Sequence, residues 1–107
     1  MNAGGVKFSV AAQNHAFKRH PGDVPIIVPA LSEIVTNPLY LGDDLRNPGK
    51  IELIGRIRGH VGGALVSLTI EKNKQDDCYH VCSIYMISQA ELDKKISKRI
   101  VKVARHR

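Results

Sequence analysis

The sequence predicts an α+β fold, on three observations. Short helical stretches come first, each closed by a proline. Segments that alternate apolar and polar residues follow, separated by turn-rich runs. A stretch with helical period closes the chain. The expected architecture is N-terminal short helices, an antiparallel sheet of about four strands and a C-terminal basic amphipathic helix. The helices should cover one sheet face and leave the other partly open.

The elements follow in order. "VKFSVAA" alternates Val6, Phe8 and Val10 and reads as a short strand. "QNHAFKRH" fits two helical turns that Pro21-Gly22 ends. "PGDVPIIVP" is a proline-interrupted connection. Pro29 suits a first helical position, and Leu31, Ile34 and Val35 share a helix face that stops at Asn37-Pro38. "LYLGDDLRNPGK" reads as a loop with a short strand at 39–41. In "KIELIGRIR", Ile51, Leu53 and Ile57 point one way and Lys50, Glu52, Arg56 and Arg58 the other. After the turn "GHVGG", "ALVSLTIEK" sets Ala64, Val66, Leu68 and Ile70 against Ser67, Thr69 and Glu71. "KNKQDD" is a second turn. "CYHVCSIYMI" is apolar on both faces and so belongs in the middle of the sheet, with Tyr79, Ser83 and Tyr85 on one face and Cys78, His80 and Cys82 on the other. Ser88 with Glu91 forms a capping box. The helix it opens carries a stripe of Leu92, Ile96, Ile100 and Val103, while Lys94, Lys95, Lys98 and Lys102 face solvent.

A chain of 107 residues supports one domain, 1–107, in which "MNAGG" at 1–5 reads as a leader or linker. Such a domain can stand at the C-terminal end of a longer chain. Apolar residues at 43% and charged residues at 24% exclude a largely disordered chain. The net charge of +6 points to nucleic acid or an acidic protein as partner. Residues 88–107 hold seven Lys and Arg against Glu91 and Asp93, a local +5, so the remaining residues carry only +1. No apolar run reaches the length of a membrane span. Cys78 and Cys82, four residues apart on a strand, lie about 13 Å from each other and cannot form a disulfide. Two thiols fit a reducing compartment. Buried small apolar residues are the expected role for this pair, with His80 as a core histidine rather than a metal ligand.

The open face would gather Glu52, Arg56, Ser67, Thr69, Tyr79, Ser83 and Tyr85, hydroxyls and cations suited to handling phosphate. On the first helix His15 shares a face with Lys18 and Arg19, while His20 sits at the helix C-terminus, where the dipole favours a cation.

"HAFKRHP" resembles the H-I-x-x-R-H-P element near the start of barnase/EndoU/colicin/RelE-like nuclease domains. These occur in prophage proteins and as C-terminal toxins of bacterial polymorphic secretion systems, including those of contact-dependent growth inhibition. "EIVTNPLYLGDD" resembles their helix followed by nP-x-Y-x-G, and "CYHVCSIYMIS" their late strand. The resemblance spans residues 8–98, with Ala16 in place of a larger apolar residue and without the Thr-Ala often found in the late strand. It implies a metal-independent, cofactor-free ribonuclease toxin acting on RNA such as tRNA in the bacterial cytoplasm, delivered there from a secreted or cell-surface parent chain. It also implies a small acidic immunity protein as cognate inhibitor. Attack by the RNA's own 2′-hydroxyl needs a base, an acid for the leaving 5′-oxygen, and donors for the charge on phosphorus. The resemblance points to His15, Tyr79 and Ser83 as catalytic, and to Lys18, Arg19, His20, Lys50, Arg56 and Thr69 as RNA-binding. Two other readings stand beside it: a non-catalytic nucleic-acid-binding module using the basic helix, and a prophage nuclease domain whose site has decayed.

Overall fold

The computed structural model describes residues 5–69 and 77–104. The chain is α+β. Among the described residues the strands are β1 (Gly5–Lys7), β2 (Tyr40–Asp43), β3 (Lys50–Gly55), β4 (Gly63–Thr69), β5 (Cys78–Ile87) and β6 (Lys102–Val103). They form one sheet in the order β1-β5-β4-β3-β2-β6. The helices are α1 (Val10–Arg19), α2 (Val24–Ile27), α3 (Leu31–Thr36), which a single 3₁₀ turn joins to α2, and α4 (Gln89–Ser97).

The expected antiparallel meander is present as β2, β3, β4 and β5. Two edge strands correct the expected count and character of the sheet. β1 pairs in parallel with the first residues of β5, so the sheet is mixed. β6 pairs antiparallel with β2. The first strand is shorter than its alternation suggested, because Ser9 caps α1 by accepting from the Ala12 N–H at 3.1 Å and draws Val10 into the helix. The end of the strand expected at 64–72, most of the following turn, residues 1–4 and the tail at 105–107 lie outside the described residues.

Two cores sandwich the sheet. On one face α1 to α3 press Ala16, Val24, Ile27, Ile34 and Val35 onto Leu53, Val66, Leu68, Val81 and Ile84. On the other, Leu92 of α4 and Val101 pack on Ile54, Leu65 and Ile87. The expectation that all helices share one face is therefore corrected. Ile54 and Leu65 put apolar area on the supposedly open face, and α4 covers it.

α4 also ends earlier than its apolar stripe suggested. Arg99 takes a left-handed backbone, with φ 57°. The Ile100 N–H donates to Lys95 O at 2.9 Å and the Arg99 N–H to Ile96 O at 3.0 Å. This is a Schellman stop, with an arginine where glycine is usual. The chain then returns as β6, which leaves Val103 exposed, contrary to its expected place in the stripe. Cys78 and Cys82 are thiols, as their spacing predicted. No helix among the described residues is long and apolar enough to cross a membrane.

Candidate functional site

Helix α4 covers only one end of its sheet face. The rest is the floor of a cleft of about 580 Å³. Glu52 of β3, Ser67 of β4 and Ser83 of β5 lie side by side on that floor, because Glu52 pairs with Ser67 and Ser67 with Ser83. Glu52 is 7% exposed and Ser67 3%. The walls are His15 and Arg19 of α1, His20 at its C-cap, Asp44 to Asn47 of the β2–β3 loop, and Glu91 and Lys95 of α4.

The edge of β5 explains how α1 reaches a face whose opposite side it helps to bury. β1 pairs with β5 only as far as His80, so the later outer edge of β5 is open to α1 and the segment after it. Asp23 seals part of that edge by accepting the Met86 N–H at 3.0 Å. Ala16 points into the first core, and His15, Arg19 and His20 reach round the edge into the cleft. The His20 ring stacks on Tyr85, with centroids 5.0 Å apart and planes 25° apart. Its Nδ1 lies 4.0 Å from the Asp23 carboxylate.

A partly buried charge pair joins floor and wall. Lys95 Nζ donates to Glu52 Oε1 at 3.0 Å. This corrects the expectation that Lys95 faces solvent with Lys94, Lys98 and Lys102. A carboxylate buried in a central strand needs a cation or donors around it. Arg46 is presented by a loop that Asp44 braces, its carboxylate accepting the Arg46 N–H at 3.0 Å, the Asn47 N–H at 3.2 Å and the Asn47 side-chain amide at 3.0 Å.

The Tyr85 hydroxyl is held protonated. Burial pushes its pKa above the usual 10.0, and the charges of Glu52, Asp44 and Glu91 add to that, against a smaller opposite effect of Arg46. Because the folded value is raised, the associated stability is fully present below pH 10 and is lost as pH rises through the folded value. Tyr85→Phe is therefore expected to lose less stability than wild type between neutral and strongly alkaline pH. Denaturant melts of the two proteins across that range check this, and parallel losses would contradict it.

Four of the nine residues singled out in the sequence meet in this cleft: His15, Arg19, His20 and Ser83. The other five do not line it. The β5 register shifts between Ser67 and Leu68, so that Ser83 faces Ser67 while Val81 faces Leu68. The extra residue at Cys82 turns Tyr79 to the opposite face from Ser83, where it packs against the first core. Thr69 accepts the His80 backbone N–H at 3.0 Å. Arg56 donates to Gly62 O at 3.4 Å and to Gln89 at 3.3 Å, tying the β3–β4 turn to α4. Lys18 is exposed outside the cleft, and Lys50 is half-buried at the start of β3. Glu52 and Tyr85 were legible as members of the polar face but carried no assigned role. Asp23, Asp44, Arg46 and Lys95 gave no local signal. Among the described residues no group of three or more His, Cys, Asp or Glu is arranged to hold a metal ion.

No protein-family model, curated protein or solved structure matches this chain.

Proposed function

We propose that the chain is a ribonuclease that cleaves RNA by intramolecular attack, with the cleft as its active site. One observation carries this reading: imidazoles, cations, hydroxyls and a buried carboxylate from six separate segments converge on one concave site. In the proposed reaction Glu52 takes the proton of the ribose 2′-hydroxyl, and the freed electron pair of that oxygen forms a bond to phosphorus. The bond from phosphorus to the 5′-oxygen breaks, and that oxygen takes a proton from an imidazolium. The products are a 2′,3′-cyclic phosphate and a 5′-hydroxyl. Imidazole suits the acid because it titrates near neutrality. His15 and His20 both line the cleft, and His20 is the one held by a ring stack and a carboxylate. Arg19 and Arg46 supply charge for the phosphate, while Ser67, Ser83 and Tyr85 offer hydroxyl donors.

The toxin reading carries further proposals with it: tRNA as a substrate class, delivery into a bacterial cytoplasm, and a small acidic inhibitor that closes the cleft through Arg19 and Arg46. The exposed Lys94, Lys98 and Lys102 favour a second reading, a non-catalytic binder that lays nucleic acid along α4.

Incubating the purified chain with total RNA in a metal chelator separates the two. The reaction as written uses only the chain's own groups, so cleavage is expected to persist in chelator. Bound but intact RNA would support the binder and overturn the nuclease.

A further inference from the structure

Resting on the nuclease reading of the cleft, we infer that Asp23 is a positioning residue for His20, fixing which ring nitrogen faces the ligand. The segment after α1 places both. The Asp23 N–H donates to His20 O at 3.0 Å, so the two residues belong to one tight turn at Pro21-Gly22. Asp23 Oδ2 accepts the Met86 N–H at 3.0 Å, which anchors the carboxylate to the sheet. The same oxygen lies 4.0 Å from His20 Nδ1. The Tyr85 ring fixes the plane of the imidazole from the other side, with centroids 5.0 Å apart. A carboxylate at Nδ1 draws a proton to that nitrogen in both charge states of the ring. Nε2 is then the atom that gives a proton to a ligand in the cleft. On donation the Nε2–H bond breaks, the proton goes to the leaving oxygen, and the ring is left neutral with its remaining proton on Nδ1, against Asp23. At 4.0 Å the contact is an ion pair rather than a hydrogen bond, and the charge of Asp23 acts on Nδ1 across it.

Among the described residues no carboxylate pairs with His15, which is exposed. The other charged groups that line the cleft are Arg19 at the end of α1, Glu52 beneath, Asp44 and Arg46 of the β2–β3 loop, and Glu91 and Lys95 of α4. Asp23 is the carboxylate paired with the His20 ring.

The test reads the ring directly. Nitrogen-15 NMR of the full chain, at a pH well above imidazole's ordinary titration range, gives the tautomer of each histidine, and His20→Gln assigns the His20 signal. In wild type the His20 ring is expected mainly as the Nδ1–H form. Asp23→Ala should return it to the Nε2–H form that free side chains prefer. Asp23→Asn can still accept the Met86 N–H, so it keeps the fold and should fall between the two. In RNA cleavage Asp23→Asn should lower kcat by about tenfold or more with KM little changed. A wild-type His20 ring mainly in the Nε2–H form, or a tautomer ratio unchanged in Asp23→Asn, would overturn the inference. Because the tautomer is read without RNA, a chain that showed the Asp23-dependent tautomer but cleaved nothing would contradict the nuclease reading and leave the pairing intact.

Discussion

Glu52→Gln is expected to lower kcat for RNA cleavage by about two to four orders of magnitude, the scale of losing one acid/base group. The substitution is nearly isosteric. Its amide oxygen can still accept from Lys95, which donates to Glu52 at 3.0 Å in the native cleft. What it removes is the proposed base, together with the negative charge beside Lys95. Some stability is lost as well, about 1–2 kcal/mol, since a partly buried ammonium then has only a neutral acceptor. The two effects separate by experiment. Single-turnover rates measured well below the melting temperature isolate the chemical loss, and KM should move little. If the Glu52–Lys95 pair were only structural, Glu52→Gln would melt earlier and cleave at the wild-type rate.

Gly62→Ala is expected to destabilise the fold by about 3 kcal/mol or more, through strain and collision together. Gly62 closes the β3–β4 turn with φ +90°, a backbone that L side chains rarely adopt. A Cβ there would also run into the Ile87 carbonyl at the end of β5, which is backbone in a paired strand and cannot step aside. Gly59, in the same turn, is the control. Its φ is +84° but its Cβ would meet nothing within 4 Å. Gly59→Ala should therefore cost only the left-handed strain, about 1–2 kcal/mol. Urea titrations of both variants check the contrast. Equal losses would show that the collision relaxes and that strain alone sets the cost.

The sequence predicted much of this fold because local signals agreed with tertiary needs. Alternation placed β5 at Cys78–Ile87, where the structure has it. Ser88 caps α4 by accepting the Glu91 N–H at 3.1 Å, as the Ser-x-x-Glu spacing foretold. Leu31, Ile34 and Val35 predicted α3 and its stop before Pro38. The misses have physical causes. The bulge at Cys82 has no sequence mark, and one extra residue moved Tyr79 off the face that Ser83 occupies. The end of α4 was hidden because Arg99 takes the position where glycine would have signalled a stop. β6 is too short for a period to show. β1 was legible from the alternation of Val6 and Phe8, but its parallel pairing depends on a partner remote in sequence.

The site was half legible for the same reasons. His15 and Arg19 declared themselves as neighbours one turn apart on a helix. The Glu52–Lys95 pair links residues 43 apart in sequence, and Asp23 meets Met86 across 63. Helical and strand periods cannot express contacts of that range. A carboxylate in the apolar run "KIELIG" was the one local hint, since a buried acid requires a partner somewhere in the fold.

The central claim is that the cleft performs intramolecular RNA cleavage with Glu52 as base. The measurement that bears on it most directly is the chemical identity of the ends produced from a defined RNA, in chelator, by wild type and by Glu52→Gln. Wild type is expected to leave 2′,3′-cyclic phosphate and 5′-hydroxyl ends, and Glu52→Gln to leave the RNA essentially whole over the same time. Intact RNA with wild type, 3′-hydroxyl and 5′-phosphate ends, or equal cleavage by the two proteins would contradict the account.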